Sequence, residues 1–205
     1  MYHFEAIDWD FTHCIGVIVI THANIFSGCR DGWTQLPLNL TSSPNHHICY
    51  KWFQSRYMTW WEAKIKCKNL APSEYERRHE LWLDGGNLAS IPNEFVNEWL
   101  WKEITPDPAW IGGKWTGRRG DLNNQNWEWI DGRGNQYSNW ADTEIEKHPR
   151  ERLNHMVFNV NSRMGLWGMD NDRWAGVETR HIRGASEGIG VYGYICQYYV
   201  KRLNG

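Results

Sequence analysis

The chain has 205 residues, with 22 Lys and Arg against 24 Asp and Glu and a formal net charge of −2. That balance gives no electrostatic footprint for nucleic acid and no polybasic membrane patch, and 41% hydrophobic content with interspersed charge excludes a disordered chain. No apolar run approaches the ~18 residues of a membrane span, while 15 Trp, 9 Tyr and 6 Phe predict indole rings buried in a small core among many polar loops.

Residues 11–20 (FTHCIGVIVI) are mostly apolar, and Thr21-His22-Ala23 sets small residues two apart, the form of a signal-peptidase site. Glu5, Asp8 and Asp10 stand where a signal peptide carries positive charge. Residues 1–28 are read as a secretory signal or a disordered N-terminus, ahead of a domain over 29–200 and a tail over 201–205. Cys14 falls in the apolar run and would leave with a signal. Cys29, Cys49, Cys67 and Cys196 remain, an even set with three possible pairings and no CxxC spacing of a zinc or redox site. Asn39-Leu40-Thr41 is the one glycosylation sequon, in a Pro-, Ser- and Asn-rich stretch that reads as an exposed loop. His46-His47 reads as part of a polar loop.

Thr59-Trp60-Trp61-Glu62 has the capping-box form, and Trp60, Ala63, Cys67 and Leu70 recur on one helical face. A second helix starts after Pro92 with Asn93 as its cap and Phe95, Val96, Trp99 and Leu100 turned inward. Residues 70–86, charged and broken by Pro72 and Gly85-Gly86, read as an inserted loop between them. Further on, short strands are predicted at Trp110-Ile111-Gly112, Trp127-Glu128-Trp129-Ile130, Met156-Val157-Phe158 and residues 193–199. Asp131-Gly132-Arg133-Gly134 is a turn signal, followed by residues 137–140. Residues 140–154 are almost wholly polar and without periodicity. Loops of that length in a compact domain are usually functional.

In order along the chain, Cys49-Tyr50-Lys51, Trp60-Trp61-Glu62-Ala63, Gly86-Asn87-Leu88-Ala89-Ser90-Ile91, Trp110-Ile111-Gly112, Trp127-Glu128-Trp129 with Asp131-Gly132, Asn139-Trp140 and Tyr194-Ile195-Cys196 resemble the C-type lectin-like domain family. The resemblance covers about residues 29–199. It implies an α+β fold in which two helices pack on two small antiparallel sheets, with a long irregular loop region that holds the binding site. It also implies the longer family form, with an N-terminal hairpin closed by Cys29–Cys49 and with Cys67 bonded to Cys196. The family's bridge within the loop region has no cysteines here, and its two places fall on His155 and Trp174.

In sugar-binding members a calcium ion is held by a carboxylate–proline–amide or –carboxylate triplet, a later Glu and an Asn-Asp pair, since calcium seeks 6–8 oxygen ligands. The resemblance sets Glu144-Ile145-Glu146 at the triplet, with isoleucine for the proline, whose usual cis form would cost an Ile about 2.5–4 kcal/mol. Gly168-Met169 stands for the Asn-Asp pair, and Asp170-Asn171-Asp172 is displaced by two or three residues. Glu144, Glu146, Glu151, Asp170 and Asp172 are the candidate calcium ligands, and calcium is expected to bind weakly or not at all. Glu144, Asn171 and Trp174 are the candidate ligand-binding residues, Trp174 as an aromatic platform or as the filler of the missing bridge's space.

No HExxH, GxSxG, P-loop or Gly-x-Gly-x-x-Gly pattern supports an enzyme. The expectation is a secreted, extracellular recognition module binding carbohydrate through its loops, or a protein partner without sugar or calcium. Residues 140–192, with glycines between 184 and 193, are expected to be the most mobile part of the domain.

Overall fold

The computed structural model describes residues 28–41, 45–55, 58–72, 74–78, 82–105, 107–116, 127–134, 137–140, 155–158, 174–177 and 191–201. The signal-like segment 1–27 and most of the loop region lie outside them. Strands are β1 (Thr34–Gln35), β2 (His46–Gln54), β3 (Trp82–Leu88), β4 (Ala109–Trp115), β5 (Trp127–Trp129), β6 (His155–Phe158), β7 (Trp174–Val177) and β8 (Gly193–Lys201). Helices are α1 (Trp60–Lys68), α2 (Glu74–Arg78) and α3 (Glu94–Trp99), the last running on as a π-turn over Leu100–Ile104. The architecture is α+β, as expected. The two small sheets are joined into one branched sheet of order β1-β2-β8-β4-β6-β7, with β3 also on β8 and β5 on β4.

Strand β8 is the axis. It pairs antiparallel with β2 along its whole length, from Gln54↔Gly193 to His46↔Lys201. Its other edge is shared: β3 takes the later part, with Leu88↔Cys196, and β4 runs parallel to the start at Ala109↔Gly193 and Trp110↔Tyr194. The closeness of β3 and β4 requires glycine at 112, where a Cβ would lie 2.7 Å from the Leu88 carbonyl oxygen.

Helix α1 forms as its sequence dictates. Thr59 Oγ1 accepts the Glu62 N–H at 3.3 Å and Glu62 Oε2 accepts the Thr59 N–H at 2.8 Å, which closes the capping box. Two indoles then lock the helix to β4. Trp60 donates to the Ile111 carbonyl and Trp110 to the Met58 carbonyl, each at 2.8 Å. The Cys67–Cys196 disulfide crosslinks the other end of α1 to β8, and Cys29–Cys49 closes the N-terminal hairpin. Arg30 completes that corner: its backbone N–H meets the Tyr198 hydroxyl at 2.8 Å and its guanidinium pairs with buried Glu76 at 3.4 Å.

Several sequence expectations are corrected. His46 and His47 open β2 rather than a loop, because β8 extends far enough to pair with them. The stretch 70–86 holds α2 and most of β3, its irregular composition absorbed by register shifts between Trp82, Asp84 and Asn87. Phe95 is 64% exposed, since the buried side of α3 is set by Val96, Asn97 and Leu100. Residues 137–140 make only a single bridge, Trp140↔Trp174, and β1 and β7 were too short to read from periodicity. Asn39 of the sequon is exposed in a 3-10 turn.

The 129-residue separation of Cys67 and Cys196 sets the stability share of that bridge. Loop closure over that length removes about 4–5 kcal/mol of unfolded-chain entropy. Denaturant unfolding of Cys67→Ala/Cys196→Ala should show a loss of that order, and a loss below about 1 kcal/mol would show that β8 pairing alone holds α1.

Candidate functional site

Strands β4, β5 and β7 and the chain at 137–140 share a floor of aromatic rings. Trp115 meets Trp127 edge to face at 5.5 Å, and Trp127 lies 5.0 Å from Trp140. Trp174 stands perpendicular to Trp129, Tyr137 and Trp140 at 5.4, 5.4 and 5.8 Å. Edge-to-face pairs of this kind add about 0.5–1.5 kcal/mol each beyond the burial of the rings. Polar groups fix the floor in register. The Trp174 backbone N–H donates to the Asn139 carbonyl at 2.8 Å, and its indole N–H donates to Asn97 Oδ1 at 2.7 Å. Asn97 is fully buried on α3, a helix started by Asn93, whose Oδ1 accepts the Val96 N–H at 2.9 Å. A buried amide is tolerated there because it is paired. The result is a non-covalent tether joining α3, β7 and the chain at Trp140.

Of the sequence-predicted site residues, Glu144, Glu146, Glu151, Asp170, Asn171 and Asp172 lie outside the described residues. Of the two readings of Trp174, the packing filler holds and the aromatic platform does not. Trp174 is fully buried and its indole N–H is spent on Asn97, so its ring presents no face to a ligand; it packs the floor instead. His155 does not share its place. In the β6–β7 register Trp174 pairs with Phe158 and His155 with Val177, so the alternation of strand faces turns Trp174 and His155 to opposite sides. His155 stacks on Trp60 at 4.1 Å and meets Trp61 edge-on at 5.5 Å. Burial first, then the charges of Lys114 and Lys64, push its imidazole down to about 4.

A second polar group that sequence reasoning missed lies under the turn after β5. Asp131 Oδ2 accepts from Ser90 Oγ at 2.5 Å and from Gln197 Nε2 at 2.8 Å. The Gln197 Oε1 accepts the Ser90 N–H at 2.9 Å, and Arg133 stands 3.5 Å from Asp131 and 4.6 Å from the centre of the Tyr199 ring. Gly132, at φ +76°, lets the chain turn back over this knot. Burial raises the Tyr199 hydroxyl far above its ordinary value, so it stays protonated at neutral pH. The signal in the sequence was the polar Gln197 between Cys196 and Tyr198 on a buried strand. Every polar atom of this group that points inward is spent on its neighbours, so it joins β3, β5 and β8 rather than offering a pocket for chemistry. Among the described residues no three His, Cys, Asp or Glu side chains gather as a metal site.

No family model matches the chain. Over 115 residues, 56% of this chain, it is 28% identical to the secretory phospholipase A2 receptor of Oryctolagus cuniculus, and that stretch spans 7% of the receptor. Among solved structures, the C-type lectin CEL-I of Cucumaria echinata matches with a TM-score of 0.51 at 15% identity, over 85% of this chain and 99% of that one. Human lithostathine matches with a TM-score of 0.50 at 16% identity, over 83% of this chain and 90% of that one. The fold is that of a C-type lectin-like domain, with its two helices, its joined sheets and both expected disulfides in place.

Two outcomes follow from this geometry. Asn97→Ala should cost about 2–3 kcal/mol in denaturant unfolding, because it strands the Trp174 N–H in the core, and Asn97→Leu with Trp174→Phe should recover much of that loss by removing both polar partners. For His155 the native state prefers the neutral ring, so below pH 6.5 the unfolded chain takes up a proton that the folded chain refuses. Stability should therefore fall from about pH 6.5 down to about 4 and level off below, losing about 2 kcal/mol between pH 7 and 5. His155→Phe should remove that share of the slope, which unfolding curves at the two pH values will measure.

Proposed function

We propose that this domain is an extracellular recognition module that binds carbohydrate through the chain between Trp140 and Tyr192, without a catalytic role. One observation carries the reading: the Trp140↔Trp174 bridge sets side by side the two residues that, in sequence, bracket the candidate ligands Glu144, Glu146, Glu151, Asp170 and Asp172. Two stretches rich in carboxylates, one beginning just past Trp140 and one ending just before Trp174, are thereby rooted at one place on the aromatic floor. Hard oxygen donors of this kind suit either a sugar's hydroxyls or a calcium ion that holds them. The two disulfides support an oxidising compartment, where cell-surface and secreted glycans are met.

Calcium is the weaker half of the proposal. Ile145 stands where the family resemblance sets a proline, so the sequence lacks the preorganisation which that residue supplies to a calcium site. The same substitution favours a second reading, a lectin-like domain that binds a protein surface through these loops without sugar or ion.

A glycan array probed with the full chain, with and without chelator, separates the readings. Retention of a defined glycan class, weakened at least about tenfold by Glu144→Gln or by Asp170→Asn with Asp172→Asn, is the expected result. Calorimetric titration of calcium should give an affinity no tighter than about millimolar, the range of weak extracellular sites. An array blank under both conditions would overturn the carbohydrate reading and leave the protein partner.

A further inference from the structure

Helix α1 carries two stripes. Trp60, Ala63 and Cys67 are buried against β4 and β8. Trp61, Lys64, Ile65 and Lys68 follow at i, i+3, i+4 and i+7, which sets them on a second face, turned to solvent. On it Trp61 is 48% and Ile65 55% exposed. The Lys64 ammonium stands 5.1 Å from the Trp61 ring and 5.5 Å from the Trp60 ring. Strand β4 adds a third cation: Lys114 lies opposite His155 in the β4–β6 register, and His155 touches both Trp60 and Trp61. Burial, then the charges of Lys114 and Lys68, lower the Lys64 ammonium from its ordinary value.

Two other cations of the helical segments are matched at i,i+4, in Glu98–Lys102 and Glu74–Arg78. Four residues before Lys64 and Lys68 stand Trp60 and Lys64, so no such match is possible. The one acid of α1, Glu62, is held at the cap by Thr59. Among the described residues Lys64, Lys68 and Lys114 enter no ion pair. Among the described residues Lys64 and Lys68 thus gather positive charge around an exposed indole, with Lys114 beside them and Glu128 opposite Lys114 in the β4–β5 register, a local excess of cations that the net charge conceals.

We infer that the solvent face of α1, with Lys114 beside it, binds a sulfated polysaccharide. The cluster calls for a polyanion, since gathering like charges is relieved only by counter-charge. A single helical stripe is far smaller than the 20–30 residues a side of a stable protein interface, whereas a linear polyanion needs only a row of cations. The disulfides place the domain where the polyanions at hand are anionic polysaccharides. Trp61 supplies the apolar surface on which a sugar ring packs. This surface is built from α1 and β4 and uses none of the candidate residues Glu144, Glu146, Glu151, Asp170, Asn171 and Asp172.

The test is calorimetric titration of the full chain with a size-defined heparin oligosaccharide across a salt series. Binding should weaken steeply with salt and fall at least about tenfold at physiological salt in Lys64→Gln/Lys68→Gln/Lys114→Gln, with a shallower salt slope. Trp61→Ala should weaken it several-fold with the slope unchanged, and Lys102→Gln, a cation of α3's π-turn, should leave it as it was. Desulfated oligosaccharide should not bind. Wild-type affinity in the triple variant, or equal affinity for polyglutamate of the same charge, would overturn the assignment, the second outcome in favour of an acidic protein segment. Thermal unfolding of each variant separates loss of ligand from loss of fold, and Glu144→Gln should leave heparin binding intact even if glycan-array binding is lost.

Discussion

The pairing of β8 with β2, from Gln54↔Gly193 to His46↔Lys201, is the constraint from which the other contacts follow. Residues of β8 alternate between layers. Ile195 enters one hydrophobic cluster with Ile48, Ile111 and Trp174, while Tyr194 and Cys196 enter another with Trp60, Trp110 and Val157. A slip of one residue would exchange these sets and present Gln197 to an apolar layer. Register is therefore fixed by burial on both faces. The Cys67–Cys196 bridge then adds a covalent check on the same register, because Cys196 is the one cysteine of β8.

Tryptophan does in this domain what a second loop-region bridge would otherwise do. Trp60 and Trp110 exchange places as donors to backbone carbonyls, so the helix and the strand are joined by two hydrogen bonds that also bury two large rings. Trp174 repeats the device with Asn97 and adds three perpendicular ring contacts. Each such indole brings apolar area and one directed donor, which defines orientation as well as burial. Not all are matched: the buried Nε1 atoms of Trp127 and Trp129 have no hydrogen-bond partner among the described residues. Their contribution to the floor comes from area and ring geometry alone.

The elements that announced themselves in the sequence were those whose reasons are local. The capping box at Thr59, the Asn93 cap and the Asp131-Gly132 turn each need only neighbours within a few residues, and all three formed. What escaped notice was set by partners far along the chain. His46 and His47 look like loop residues until β8 pairs with them, and Trp82–Leu88 becomes a strand only because β8 has a free edge there. Trp174 was legible as a large aromatic that is either platform or filler, but not as the partner of Asn97, which lies on a helix 77 residues earlier. The α1 stripe was in plain view at helical spacing, yet net charge averaged its lysines away. Disulfide pairing was legible only through the family resemblance, as cysteine count alone left three arrangements.

The residues that hold the fold and the residues proposed to meet ligand are almost disjoint sets. Cys67, Cys196, Asn97, Trp174 and the knot of Ser90, Asp131 and Gln197 are spent on one another. None has a polar atom left for a sugar or an ion. The candidate ligand residues Glu144, Glu146, Glu151, Asp170 and Asp172 are drawn from outside this set. The fold therefore places little restraint on the ligand. A domain organised in this way can keep its strands and its aromatic floor while its recognition chemistry drifts. That separation also lets α1 turn a second, cationic face outward at no cost to its buried stripe, because Trp60, Ala63 and Cys67 already supply everything the core requires of that helix.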